Sequence, residues 1–100
     1  MSEKYDVIVV GAGIAGLGVG AILAKEGKQK VLVLDRFPKA GGRTMSYDGY
    51  PGKGWRVDIG LHLVELGEKA TVTELNERVG KKVEWGPFSK TVDIWDGEKF

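Results

Sequence analysis

The run Val7-Ile8-Val9-Val10-Gly11-Ala12-Gly13-Ile14-Ala15-Gly16, followed by Val31-Leu32-Val33-Leu34-Asp35, decides how this 100-residue chain is read. Val7 to Val10 are all β-branched, the pattern of a strand covered on both faces as parallel strands are. The pattern predicts that strand over Tyr5 to Val10. It then predicts a helix over Ile14 to Glu26, with Ile14, Leu17, Ala21 and Ala24 on one face and Gly27 as the C-terminal stop. Val31 to Leu34 is a second apolar strand. A crossover of this length makes the two strands parallel, and such connections are right-handed.

Gly11, Gly13 and Gly16 have the spacing G-x-G-x-x-G, a weak signal by itself in a chain with 16 glycines. Context strengthens it. The glycines follow a predicted strand and open a predicted helix, and an acid, Asp35, closes the next strand about twenty residues on. That is the layout of a dinucleotide-binding Rossmann βαβ unit, and the expected fold class is α/β with an open, mainly parallel sheet. Gly11 permits the tight turn, Gly13 lets the backbone approach a pyrophosphate, and Gly16 lets helix and strand pack closely. The phosphates face the helix N-terminus, where free N–H groups and the dipole favour anions. Asp35 accepts hydrogen bonds from the adenosine ribose. Gly18 and Gly20 each cost a helix about 1 kcal/mol against alanine, and either close packing on the sheet or plain sequence drift accounts for them.

The bulk composition excludes several other classes. With 42% hydrophobic and 29% charged residues, this is the composition of an ordinary soluble globular domain. The 15 basic and 14 acidic residues are spread along the chain, with no basic block to track a nucleic-acid backbone. Zero cysteines and a lone His62 leave no disulfide framework and no metal site. Val7 to Ala24 has no polar side chain, but five glycines and a natural division into strand and helix argue against a membrane span. The expected compartment is the cytoplasm, with membrane association left to parts of a longer protein.

Beyond Asp35 the chain becomes turn-rich from Phe37 to Gly54, with short strands expected around Met45 to Tyr47 and Trp55 to Val57. Thr71 and Glu74 have the spacing of a capping box, and Val72, Leu75 and Val79 recur at helical spacing before Gly80. Thr91 to Trp95, the Asp96-Gly97 turn and Lys99-Phe100 read as a hairpin in which the chain stops.

Three groups of residues carry a resemblance to a known family. They are Val9 to Leu17 with Val31 to Asp35, then Gly41-Gly42-Arg43-Thr44-Met45-Ser46, then Asp58-Ile59-Gly60-Leu61-His62. Over Tyr5 to about Gly80 the chain resembles the phytoene desaturase and amine oxidase group of FAD-dependent oxidoreductases. The Gly-Gly-Arg element discriminates, since simple NAD dehydrogenases usually continue there into another helix and strand. The resemblance implies a cofactor-binding set of Gly11, Gly13, Ala15, Gly16, Asp35, Arg36, Gly42, Arg43, Gly60 and His62. Gly42 and Arg43 lie along the FAD diphosphate, and Asp58 to His62 passes near the flavin ring. A guanidinium suits that place because it donates bidentate hydrogen bonds to phosphate oxygens. Arg36 either meets phosphate, covers the adenine or is solvated. No catalytic residue is named by these motifs.

Two features depart from the family. It more often has glutamate at the place of Asp35, which shortens the reach to the ribose. Its members are several times longer and complete the FAD site with a C-terminal segment. The expectation is therefore an N-terminal piece of a larger two-domain flavoprotein, with residues 1–62 as the FAD-binding segment and 63–100 as an incomplete start of the substrate-side region. Such an enzyme oxidises, reduces or isomerises an apolar small molecule, and needs the remainder of its own chain to complete the site. The alternatives are an NAD-dependent dehydrogenase domain and a non-catalytic nucleotide-binding module.

Overall fold

The computed structural model describes residues 2–49, 53–60, 64–87 and 97–98. Its N-terminal unit is β1 (Val7–Val10), α1 (Ile14–Lys25) and β2 (Val31–Leu34). The two strands pair in parallel, from Val7 opposite Val31 to Val10 opposite Leu34. The expected α/β unit with a parallel sheet is present. β1 starts two residues later than the pattern suggests, because the Asp6 carboxylate accepts the Lys30 amide at 2.7 Å in place of a ladder bond.

α1 lies on one face of this pair, and glycine decides how close it comes. A Cβ on Gly16 would run into the carbonyl oxygen of Gly11, and one on Gly20 would come within 3.0 Å of Val33 Cγ2. The expectation of sheet packing thus holds for Gly20 but not for Gly18, where the neighbour is Leu75. Ile14, Leu17 and Ala21 also turn away from the sheet, lining an apolar groove of about 240 Å³ with Val72, Leu75 and Val79. Gly16 and Gly20 face the strands, while Ile14, Leu17, Gly18 and Ala21 face the second helix. Neither strand is covered on both faces as expected. Ile8, Val10 and Leu34 are 59%, 85% and 46% exposed, since among the described residues nothing packs on that side.

The helix ends at Lys25 with Glu26 as its C-cap, directly before Gly27. The left-handed residue that follows is Lys28 at φ 50°, and the Gln29 amide reaches back to the Leu23 carbonyl at 3.1 Å. Gly27 matters for space, because a Cβ there would crowd the same Leu23 oxygen at 2.7 Å.

A 3-10 turn (Gly42–Thr44) leads into β3 (Ser46–Asp48), which pairs antiparallel with β4 (Arg56–Asp58). Both strands fall one residue later than expected. A second 3-10 turn (Gly67–Lys69) precedes α2 (Thr71–Arg78). The expected capping box is absent: Ala70 is the N-cap, no side chain caps the helix, and Thr71 already lies in the first turn. Buried Thr73 instead ties the first turn to the preceding 3-10 turn, its hydroxyl donating to the Gly67 carbonyl at 2.8 Å. α2 is tied to the end of α1 by a forked pair, with Arg78 Nη2 and Nε donating to the two Glu26 carboxylate oxygens at 2.7 and 3.1 Å. The helix expected before Gly80 is therefore present, packed against α1. The hairpin expected at Thr91 to Phe100 lies outside the described residues apart from Gly97 and Glu98.

Because Gly16 meets backbone, Gly16→Ala is expected to lower stability by about 1–3 kcal/mol despite alanine's better helix propensity. Gly18→Ala faces only the tip of Leu75, which can move, and stays within about 1 kcal/mol of the wild type. Urea unfolding of the two variants checks the order; a stabilised Gly16→Ala protein contradicts this packing.

Candidate functional site

The glycine loop between β1 and α1 is held from two sides. Gly11 sits at φ 106°, a conformation that side chains avoid, and its amide donates to the Leu34 carbonyl at 2.7 Å. The chain thereby turns at the end of β1 beside the end of β2. Ala12 is buried and uses both of its backbone groups. Its N–H donates to Asp35 Oδ2 at 2.6 Å, and its carbonyl accepts the Gly41 amide at 2.7 Å. Asp35 Oδ1 accepts the Phe37 amide at 2.8 Å. These bonds, the one from Phe37 first and the one from Ala12 next, hold the Asp35 carboxyl below its ordinary value. Each carboxylate oxygen has a second lone pair, so the exposed Asp35 can still accept a ligand hydroxyl.

A second segment closes on the loop from residues nearly thirty positions on. Gly41 bridges to Gly13 in parallel, and a Cβ on Gly42 would come within 3.1 Å of Gly13 Cα. Gly42 itself lies at φ 57°. The Thr44 hydroxyl closes the turn by donating to the Gly41 carbonyl at 2.7 Å. A third segment arrives at the end of β4. The Ile59 amide donates to the Met45 carbonyl at 3.1 Å, and Gly60 packs so tightly that a Cβ would strike the Arg43 carbonyl oxygen. The three sequence motifs thus become one cluster of backbone.

The start of α1 is open to an anion. The first turn of a helix has N–H groups without intrahelical partners; here no side chain caps them and no acid stands in the first turn. A Cβ on Gly13 would meet nothing within 4 Å. Arg43 is exposed and makes no ion pair or hydrogen bond with any described residue. An uncapped helix start, a free guanidinium and space at Gly13 together fit the diphosphate of a dinucleotide.

Of the residues expected in the site, Gly11, Gly13, Gly16, Asp35, Gly42, Arg43 and Gly60 belong to this cluster. Ala15 stands exposed in the first turn of α1. Arg36 lies with its guanidinium 4.8 Å from the Phe37 ring centroid, and His62 falls outside the described residues. Sequence reasoning missed the Ala12 and Phe37 amides, whose role is carried by backbone. It also missed the pairing of Ser46 with Asp58, although both residues lie in quoted motifs.

Residues 9–80 match the family model for NAD(P)-binding Rossmann-like domains. The chain belongs to that family. It is 39% identical over 95 residues to all-trans-retinol 13,14-reductase of Homo sapiens, covering 92% of this chain and 15% of the relative. It is 35% identical over 95 residues to the chloroplastic prolycopene isomerase of Daucus carota, covering 91% and 15%. Identity reaches 44% over 62 residues, 62% of this chain and 10% of the relative, for a protein of Danio rerio named inactive all-trans-retinol 13,14-reductase. These relatives agree with the resemblance to FAD-dependent oxidoreductases carried by the three motifs. The chain spans about 15% of the length of the curated relatives it matches. Among the described residues no helix is long and apolar enough to cross a membrane.

The two amide bonds to Asp35 give a pH expectation. A carboxyl held low in the folded protein contributes stability above its unfolded value and loses it as pH falls through the lowered folded value. The Asp35 carboxyl carbon, followed by NMR, is therefore expected to titrate at lower pH than aspartate in an unstructured peptide. Titration at or above that ordinary value contradicts the staple to Ala12 and Phe37.

Proposed function

We propose that this chain is the FAD-binding N-terminal part of a longer flavin-dependent oxidoreductase acting on an apolar small molecule. The observation that carries the reading is the contact of Gly41-Gly42-Arg43 with the glycine loop. It brings the Arg43 backbone close to the glycine loop, whose helix start is uncapped and where Gly13 leaves open space. A guanidinium and helix N–H groups both donate to phosphate oxygens, so this neighbourhood suits a diphosphate. Asp35, at the end of β2, suits the adenosine ribose hydroxyls. The flavin supplies the hydride chemistry when bound, and the residues of this chain hold and orient it.

The relatives support the wider reading. The reductase and the isomerase are named for retinol and prolycopene, both largely hydrocarbon. We place the cofactor-binding segment at residues 1–62 and the start of the substrate-side region at 63–100. A second reading is favoured by the family description itself, which names NAD(P): a nicotinamide dinucleotide in the same cleft, with Asp35 repelling a 2′-phosphate.

Purified full-length protein is expected to carry the yellow absorbance of FAD. Gly13→Val, which fills the space reserved for the diphosphate, abolishes flavin loading while the protein stays folded. Asp35→Ala weakens FAD binding by about tenfold to a hundredfold, the usual loss when charged hydrogen bonds to a ligand go. Normal flavin content in folded Gly13→Val protein contradicts the diphosphate placement, and a colourless protein that binds NADH supports the second reading.

A further inference from the structure

Arg43 has no side-chain anchor among the described residues, so its position depends on what holds its backbone. On one side the hold is the contact of Gly41 and Gly42 with the glycine loop. On the other side it is Gly60, seated against the Arg43 carbonyl. Gly60 stands two residues beyond Asp58, the last residue of β4, and Asp58 is directly opposite Ser46. The side chains of this pair meet, with Ser46 Oγ donating to Asp58 Oδ1 at 2.5 Å. The far end of the same ladder has its own cross-strand pair, Arg56 Nε to Asp48 Oδ1 at 2.8 Å, which is exposed like the Ser46–Asp58 pair but two ladder positions further from Gly60.

We propose that Asp58, through Ser46, is a positioning residue for Arg43. The hydrogen bond fixes the register at the site end of the hairpin, the register seats Gly60 on the Arg43 backbone, and that seat aims the guanidinium at the bound diphosphate. The hairpin strands have three residues each, so few other bonds hold this register. The inference rests on the proposed role of Arg43 at the diphosphate.

A double-mutant cycle on the full-length protein tests it, read as FAD dissociation constants beside thermal unfolding. Arg43→Ala is expected to weaken FAD by about tenfold or more. Asp58→Ala and Ser46→Ala each weaken it by about threefold to tenfold, and Asp58→Asn, which keeps an acceptor for Ser46, restores affinity to within about twofold. In the Arg43→Ala background, Asp58→Ala causes no further loss. Asp48→Ala, which breaks the far pair, leaves FAD affinity unchanged. Losses that multiply in the double variant, or an Asp58→Ala protein that binds like the wild type, overturn the positioning role while leaving Arg43 in place. An Arg43→Ala protein with unchanged affinity overturns the diphosphate reading, and the positioning role with it.

Discussion

The hydrogen bond from the Ala12 amide to the Asp35 carboxylate is the constraint on which the rest of the site depends. It joins the turn after β1 to the end of β2, and so fixes where the chain enters α1. With the amide committed to Asp35, the Ala12 carbonyl is left to receive Gly41, and this brings the Gly-Gly-Arg segment onto the loop. One small buried residue thereby links the loop to two partners, the end of β2 and the Gly-Gly-Arg segment. Together with the larger effect of the Phe37 amide, the same bond lowers the Asp35 carboxyl from its ordinary value, and it orients the group proposed for the ribose against the loop proposed for the diphosphate.

The architecture brings backbone against backbone, which explains its demand for glycine. Gly16 on Gly11, Gly42 on Gly13 and Gly60 on Arg43 are all contacts that a single Cβ would break or strain. Large side chains contribute little here, since among the described residues none is fully buried. A helix with three interior glycines forgoes about 1 kcal/mol at each, and it recovers this through close approach to the strands and to Leu75. Much apolar surface stays open on the other face of the sheet, in keeping with parallel strands that are normally covered on both sides.

What was legible in the sequence follows from which forces are local. β1, α1 and β2 were readable because continuous β-branched runs and a glycine-broken apolar helix have few alternative structures. Asp35 and the first three glycines were readable because their spacing has a mechanical meaning. The capping box failed because Thr71 and Glu74 satisfy a spacing rule, while the 3-10 turn at Gly67–Lys69 makes Ala70 the N-cap and draws Thr71 into the first turn. The left-handed turn at Lys28 and the orientation of Gly18 were hidden, since one depends on a backbone closure and the other on a helix more than fifty residues away. The meeting of Gly42 with Gly13 and of Gly60 with Arg43 leaves no periodicity to read.

The relatives include a reductase, an isomerase and a protein named inactive, which is in keeping with the proposal that this segment is a cofactor cradle. The proposed site of the diphosphate lies between Gly13, the first turn of α1 and Arg43. A crystal structure of the full-length protein with its dinucleotide tests it most directly. The account predicts diphosphate oxygens within hydrogen-bond distance of amides at the start of α1 and of the Arg43 guanidinium, with a ribose hydroxyl on Asp35. A dinucleotide whose diphosphate lies away from both Gly13 and Arg43 would contradict it.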